Sequence, residues 1–433
     1  MKIFWLFLFL ISILPDPAHA YIDPGTGGYL VGSAFPMVAG ILAVLAAFFA
    51  HFFRHTIGNF FRRFRSKQRR SSNVPLDLKK FDESLSGAHR HDASAMADGY
   101  NLCDGRLIDR EGRTLKKWRN RYLGLLLSDG RYVAQTSYES RKWGLFTWDD
   151  KPVWEMDLPI HHDIVFTPQG TLLTLTKEMH PYKGRDVDFC VIVEFDLEGR
   201  ELTRWSTWEH LQEIQKFHKP LELDRPKVFF LPEPARRKEI TPWGGHYDYY
   251  RLNSIQVLPD TPLGKRDARF QPGNWLISFR HGSMMFILDR ETRAIVWKCI
   301  AGDVEGGIEG QHAPTLLESG RILLLDNGRY RGESRVLEID PVTLKIVWEY
   351  RSDGFYTLSQ GYVQRLPNGN TLVTESERGR VFEITPEKKI VWEYYHPEKQ
   401  DASNSQHPES YGLRQWIYRM VRYPAARIAS NLR

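Results

Sequence analysis

Cysteine is scarce in this chain: 433 residues contain three, Cys103, Cys190 and Cys299, far apart and without any C-x-x-C pair. An odd, scattered set excludes a disulfide framework and a thiolate zinc site, and leaves three small apolar core residues as the reading. A reducing compartment is compatible with this and not required. Acid is missing from two stretches, His51 to Arg70, which carries seven Arg/Lys, and everything after Glu409. Residues 1–70 hold eight Lys/Arg against Asp16 and Asp23, a sum of +6 that equals the whole chain's formal charge, so residues 71–433 sum to zero. The pI near 9.0 therefore belongs to the N-terminal segment, and no nucleic-acid partner is expected. Metal chemistry is equally unprovided for. His161-His162-Asp163 lacks the helical i, i+4 spacing of a zinc site, and no acidic and amide set stands out for calcium. No cofactor and no metal are expected.

What the N-terminus does have is apolar length. Residues 1–20 read as a signal peptide or a first membrane helix, ending in Ala18-His19-Ala20. Residues 21–70 follow as a transmembrane helix with a basic juxtamembrane segment. The uncharged run at 29–50 is long enough to cross a ~30 Å hydrocarbon core at ~1.5 Å per residue. Positive charge beside a span marks the cytoplasmic side, which places the main domain in the cytoplasm of a membrane-bound protein, with the periplasm as the alternative. Tyr21 to Gly28, YIDPGTGG, resembles the leader of small bacterial membrane proteins and implies a bacterial inner-membrane setting. Residues 71–98 are polar and read as a linker.

Beyond residue 98, tryptophan recurs at the end of similar segments. IDREGRTLKKW, TWDDKPVW, FDLEGRELTRW, LDRETRAIVW, IDPVTLKIVW and ITPEKKIVW end at Trp118, Trp154, Trp205, Trp297, Trp348 and Trp392. Each is an apolar strand, a turn and a short strand. The spacings are 36, 51, 92, 51 and 44 residues, the longest containing a polar insertion around 206–246. Four-stranded blades of about 40–50 residues fit this period. The expectation is an all-β chain, a six-bladed β-propeller of four-stranded blades over 99–397, preceded by the N-terminal transmembrane helix. The tryptophans are assigned to core packing.

A second register runs inside the blades. Eight residues before a turn glycine lie His162, His312 and Gly361, and six before Pro259 lies Asn253, as His162 lies six before Pro168. Seven residues after the glycine that opens the next strand lie Lys177, Arg280, Asn327 and Ser376. Strand starts pair with the ends of antiparallel neighbours, so both sets fall at one rim. His162, Lys177, Asn253, Arg280, His312 and Asn327 are expected around one mouth of the central channel.

In these residues the chain resembles the arylsulfotransferase family, PAPS-independent bacterial enzymes on a six-bladed propeller. The resemblance rests on Trp154…His161-His162-Asp163, Asp248-Tyr249-Tyr250-Arg251-Leu252-Asn253-Ser254, Ser278-Phe279-Arg280-His281, Gln311-His312, Asp326-Asn327 and the closing LPNGNTLVTESERGRVFEITPEKKIVWEY, together about residues 100–397. It implies transfer of a sulfuryl group from an aryl sulfate donor to a phenolic acceptor through a sulfated histidine. His312 would be the nucleophile, His162 a second catalytic histidine exchanging protons with the phenols, and Arg280 the clamp on the sulfuryl oxygens. Those residue types suit the chemistry. An imidazole nitrogen attacks and leaves, a guanidinium fork binds two anionic oxygens, and a second imidazole moves a proton. Arg251, Asn253, Asn327 and Lys177 are the expected substrate-binding residues. The family pattern Asp, aromatic, any, His, any, Asn, Ser is broken at Arg251, which stands where the family has histidine and cannot shuttle a proton near neutral pH. Family members act outside the inner membrane, against the cytoplasmic orientation read above.

Residues 398–433 read as a basic amphipathic tail. Leu413, Trp416, Ile417, Met420 and Val421 share one face at helical spacing, flanked by arginines. Such a helix over 413–422 would lie on anionic lipid, as a second membrane contact beside residues 29–50, or dock on the propeller. The rival to an enzyme is a propeller that has lost catalysis and binds a ligand or protein at the membrane. No protein partner is named by the sequence.

Overall fold

Alternation decides this architecture. Ile322-Leu323-Leu324-Leu325 is a wholly apolar run within its strand, as is the strand Met284–Leu288 and, apart from Ser278, Trp275–Phe279. Successive side chains of a strand point to opposite faces, so a continuous apolar run needs a partner on both faces. Ile322 and Leu324 pack with Leu276 and Met285 on one side, while Leu323 and Leu325 pack with Val363 and Val373 on the other. Sheets stacked face to face around an axis satisfy that demand six times over.

The structure, a computed structural model, describes residues 84–118, 124–136, 142–218, 247–399 and 414–428. These belong to the compact unit Leu76–Arg433. The apolar segments at 1–20 and 29–50, the YIDPGTGG leader and the basic stretch after them lie outside the described residues. Among the described residues no helix is long and apolar enough to cross a membrane. Six antiparallel sheets form six blades, whose strands are lettered a to d from the axis outward. Blade two is Gly124–Leu126, Tyr132–Gln135, Lys142–Phe146 and Pro152–Asp157. Blade three is His161–Phe166, Leu172–Tyr182, Arg185–Phe195 and Glu201–Ser206. Blade four is Leu252–Val257, Trp275–Phe279, Met284–Leu288 and Ile295–Ile300. Blade five is His312–Leu316, Ile322–Asp326, Arg335–Ile339 and Ile346–Tyr350, and blade six Tyr362–Arg365, Thr371–Glu375, Arg380–Ile384 and Ile390–Tyr395. Six buried apolar clusters fill the six gaps between neighbouring blades. Cys103, Cys190 and Cys299 sit in three of them as buried free thiols, and burial pushes the Cys299 thiol up to about 12.

Blade one corrects two boundaries. Its strands b to d are Tyr100–Cys103, Arg106–Ile108 and Thr114–Lys117, but strand a is Met420–Tyr423, from the tail read above as a helix. The apolar spacing that mimics a helix is a strand preceded by irregular chain. Met420 and Tyr423 are buried in the blade-one gaps, so this segment is no free lipid-binding face. Arg422 is buried too, paired with Glu383 of blade six and bonded to Asn101. The supposed linker likewise supplies Gly87–His91, a fifth strand on the outer edge of blade six. The propeller therefore takes in residues from both sides of 99–397. Its ring is shut twice, on the inside by the tail and on the outside by the N-terminal strand.

The tryptophans do more than fill the core. Trp118 Nε1 donates to Trp148 O at 3.1 Å, Trp154 to Leu197 O at 2.8 Å, Trp297 to Pro341 O at 2.8 Å, Trp348 to Pro386 O at 2.9 Å and Trp392 to Arg110 O at 2.6 Å. Each acceptor is the same turn carbonyl of the next blade, so the staples run round the ring. Trp205 breaks the series. Its indole N–H is buried without a hydrogen-bond partner among the described residues, and its ring stacks on His210 at the head of the inserted helix Leu211–Phe217. That helix packs over blade four, where Glu213 accepts from Ile295 N at 3.2 Å. Trp297→Phe is therefore expected to cost about 1–2 kcal/mol more than Trp205→Phe, since only the former strands a buried carbonyl. Denaturant unfolding of the two variants checks it, and equal losses would remove the staple.

Candidate active site

Strand a of blades three, four and five each begins with an irregularity. Opposite a single step from Thr174 to Leu175, blade three spends three residues from Ile164 back to His161. Blades four and five have register shifts at Leu252/Ser254 and His312/Thr315. His162, Arg251 and Ala313 take left-handed φ of 63°, 51° and 50° there. Such backbone costs a non-glycine residue about 1–2 kcal/mol, and a bulge re-aims the side chains beside it. At the corresponding point of blade six the chain uses Gly361, φ 99°, where a Cβ would meet Leu325 Cδ2 and Thr374 O at 2.7 Å. The four strand starts lie at one end of the channel, as the glycine register anticipates. Arg280 and Asn327 directly follow strand b of blades four and five, and Lys177 lies in the extended strand b of blade three.

His312 is buried and its protonation is fixed by its neighbours. Asn327 donates from Nδ2 to Thr357 O and Gln360 O, both at 2.8 Å, so its Oδ1 turns to His312. His312 Nδ1 lies 2.7 Å from that oxygen and 3.0 Å from Gly310 O, two acceptors, and must carry the proton. Nε2 keeps its lone pair, buried and without a hydrogen-bond partner among the described residues. Burial first, then the charges of Arg280 and Arg251, lower the pKa to about 3, against the Asn327 and Gly310 bonds that raise it. At neutral pH the ring is uncharged.

Two further residues hold His312 in place. Gln311 donates from Nε2 to Ser278 Oγ, Phe279 O and Met284 O, riveting the strand start to blade four. Asn253 donates to Gln311 O at 2.7 Å. Asn327 and Asn253, expected to bind substrate, thus both act on the histidine's backbone or ring.

His162 is arranged by the same logic. His161 Nε2 faces Thr176 O at 3.1 Å and so carries a proton, which makes its Nδ1 the acceptor at 2.7 Å from His162 Nδ1. His162 then holds its proton on Nδ1 and a lone pair on Nε2. Burial, with Arg251, His161, His312 and Lys177 after it, pushes its pKa well below 6.5. Arg251 is within electrostatic reach of both histidines, and its carbonyl accepts from Arg280 N at 3.0 Å. Arg280 Nη1 approaches His281 Nε2 at 3.5 Å. Lys177 is drawn partly aside, its Nζ 3.8 Å from Asp188.

Sequence reasoning missed three contributors. Tyr418 and Arg419 come from the tail: the Tyr418 hydroxyl donates to His162 O at 3.0 Å, and Arg419 pairs with Asp163 at 2.6 Å. Asp163 also accepts from Ile255 N of blade four at 3.1 Å. The tail thus holds the backbone on which His162 stands. The third is Arg329, buried two residues beyond Asn327, with Gly310 flanked by its side chain and by Arg280. Asp326-Asn327-Gly328-Arg329 contained the signal, since Gly328 has φ 62° and turns the chain back to the mouth. Among the described residues no group of three His, Cys, Asp or Glu is placed to hold a metal ion.

A mouth with two lone-pair imidazoles among arginines fits the family whose profile, described as Arylsulfotransferase (ASST), matches residues 141–396. The chain belongs to the arylsulfotransferase family. No curated protein matches it. Among solved structures it is similar to a protein of unknown function from Bacteroides caccae, with TM-score 0.45 and 12% identity, covering 75% of this chain and 98% of that one. It is also similar to a streptogramin B lyase, with TM-score 0.39 and 12% identity, covering 74% and 87%. A catalytically inactive virginiamycin B lyase from Staphylococcus aureus gives TM-score 0.37 and 12% identity over 64% and 70%. Arg251, expected from the sequence to bind substrate, is within electrostatic reach of both histidines, and Arg329 is the cation that the sequence reading did not place at this mouth.

Buried neutral histidines make the domain acid-sensitive. His162, His312 and His396 have folded-state pKa values below 6.5, His396 at about 4. Below pH 6.5 the unfolded chain takes up protons that the folded chain refuses, so the stability they contribute is full above 6.5 and is lost as pH falls. Each therefore lowers stability as the pH falls below 6.5. Asp104, whose carboxyl burial raises to about 7, works the other way below pH 7 and offsets one of them, and Asp163 is raised as well. The expected net is a loss of about 1–3 kcal/mol per unit from pH 6.5 to 4.5, read from urea midpoints. A flat or rising profile would contradict it.

Proposed function

We propose that this chain transfers a sulfuryl group from an aryl sulfate to a phenolic acceptor through His312 sulfated on Nε2. The observation that carries the reading is the fixed tautomer: Asn327 and Gly310 O hold the proton on Nδ1, so the nitrogen facing the cationic mouth is the one with the lone pair. In the first half-reaction Nε2 attacks sulfur, the N–S bond forms, and the S–O bond to the aryl group breaks with its electron pair leaving on the phenolate. Arg280 suits the non-bridging oxygens, which spread charge in the transition state. In the second, the acceptor phenol gives its proton to His162 Nε2 and its oxygen attacks sulfur. The N–S pair then returns to His312.

His162 supports this as a base. Its Nδ1–H is engaged with His161 and its pKa lies well below 6.5, so it begins the cycle with no proton to give. The departing phenolate leaves as an anion beside arginine, which narrows the two-way proton exchange expected from sequence to the acceptor half. Donors with acidic leaving phenols are therefore the better ones.

The rival reading, a ligand-binding propeller without turnover, is favoured by Arg251 at the family's histidine position. One experiment separates them. Full-length protein is pulsed with 4-nitrophenyl sulfate without acceptor and digested for mass spectrometry. A sulfuryl group on the peptide containing His312, discharged on adding phenol, supports the transferase. Its absence, with no nitrophenolate released, supports the binding module. We also infer from the basic stretch after residue 50 that the mouth works on the cytoplasmic side of a bacterial inner membrane. A reporter fused after Arg433 should then be active only in its cytoplasmic form.

A further inference from the structure

The two histidines that open blade three would not meet in a regular strand. Successive residues point to opposite faces, so His161 and His162 would be divided by their own sheet. The left-handed φ of 63° at His162 turns them together instead: the ring centroids are 4.8 Å apart at 88°, and Nδ1 lies 2.7 Å from Nδ1. Around that turn three backbone carbonyls accept from side-chain hydroxyls. Thr176 Oγ1 donates to Pro159 O, Thr174 Oγ1 to Asp163 O and Tyr418 to His162 O, each at 3.0 Å. A strained residue over-determined by its surroundings marks a functional constraint.

The pair is also a directed chain of hydrogen bonds. Thr176 O accepts from His161 Nε2 at 3.1 Å, His161 Nδ1 accepts from His162 Nδ1, and His162 Nε2 is left as the basic end. The order is that of an acyl-transfer triad, a base and then the group that orients it, with a second imidazole where a carboxylate usually stands. Two imidazoles have the same intrinsic affinity for a proton, so one held between them at 2.7 Å can rest on either. Burial holds the pKa of His162 well below 6.5, which makes a lone imidazole there a reluctant base. Charge passed inward makes the bond to Thr176 O a charge-assisted one, about twice as strong as its neutral form.

We propose that His161 and His162 work as a single base, a relay that carries the acceptor's proton inward from the phenol to His161. The phenol O–H bond breaks and its proton goes to His162 Nε2, while the Nδ1 proton of His162 crosses to His161 Nδ1. The phenol oxygen attacks sulfur, and the N–S pair returns to His312. The positive charge ends on His161 with both of its N–H groups engaged, and the aryl sulfate product carries the balancing negative charge. Reversal through His162 Nε2 returns the proton to water. This rests on the sulfuryl-transfer reading and adds His161 to it as a positioning residue, one that touches His162 and not the substrate.

His161→Asn separates a relay from simple support, because its Oδ1 stands where Nδ1 stood, still accepts from His162 and takes up no proton. Full-length protein is sulfated with 4-nitrophenyl sulfate, mixed with phenol and followed by quenched flow for loss of the sulfuryl group. Discharge is expected to be at least about tenfold slower in His161→Asn, and slower still in His161→Phe, which also releases the tautomer. In mixtures of light and heavy water, wild-type discharge should vary with deuterium fraction along the curve of two moving protons, and His161→Asn along the straight line of one. The nitrophenolate burst, in which the pair takes no part, and a thermal melt report on folding. Wild-type discharge in His161→Asn, or a straight line for wild type, overturns the relay and leaves the transfer reading standing. No sulfated His312 in wild type overturns both.

Discussion

A chain that stops at residue 413 is expected to yield no folded propeller. The missing residues include Met420–Tyr423, strand a of blade one, whose loss uncovers Leu102, Cys103 and the gap against blade six. Gln364 of blade six grips the Arg422 backbone in both directions, from Nε2 to Arg422 O at 2.9 Å and from Arg422 N to Oε1 at 2.8 Å. Without that strand the ring has an open edge at its centre. Glu383 would stay fully buried without Arg422, and Asp163 would lose Arg419. Breaking one buried pair costs about 3–5 kcal/mol, and native domains hold about 5–15 in total, so two losses plus an exposed core exceed what the fold can absorb. Arg422→Met isolates one contribution and should lower stability by about 3–5 kcal/mol while keeping the strand. A soluble truncated protein with an unchanged melting temperature would refute the closure. The same truncation on a membrane-docking tail would leave stability alone.

The second large effect belongs to His312. On the proposed mechanism its replacement by alanine should reduce transfer by at least about a thousandfold, since the first half-reaction loses its nucleophile and the second the sulfated nitrogen that the phenol attacks. Asn327→Ala should cost less, about tenfold to a hundredfold, because Gly310 O still accepts from Nδ1 and part of the tautomer control survives. His162→Gln should spare the donor half-reaction and slow discharge to the acceptor. Stopped-flow release of nitrophenolate, followed by phenol-driven discharge, separates the three. Comparable burst rates in wild type and His312→Ala would remove His312 from the mechanism.

Much of this arrangement could be read from the amino acids. The six tryptophans mark six d strands because each blade repeats the same turn before the same outer strand. Constant hairpin lengths likewise carried the glycine count to His162, His312 and Arg280. What escaped depended on distant partners. Nothing local tells that Met420 pairs with Cys103, or that Arg422, a charged residue in an alternating tail, is buried because Glu383 waits in another blade. Gly87–His91 exposes His89, Arg90 and His91, so its edge strand carries no apolar alternation to betray it. The bulges at His162 and Asn253 add residues without changing composition, and the conversion of two expected ligand-binding asparagines into supports followed from hydrogen bonds alone. Arg329 was in plain view, but only the turn at Gly328 brings it round.

The inner closure also sets a clock. Blades two to six can form in order as the polypeptide leaves the ribosome, whereas blade one waits for a strand encoded after all of them. Tyr418 and Arg419 arrive in that same delayed stretch, so His162 and Asp163 gain their last supports only when it docks. The mouth is therefore completed last, and an interrupted translation product would carry both histidines without the tail contacts that hold the backbone of His162 and Asp163.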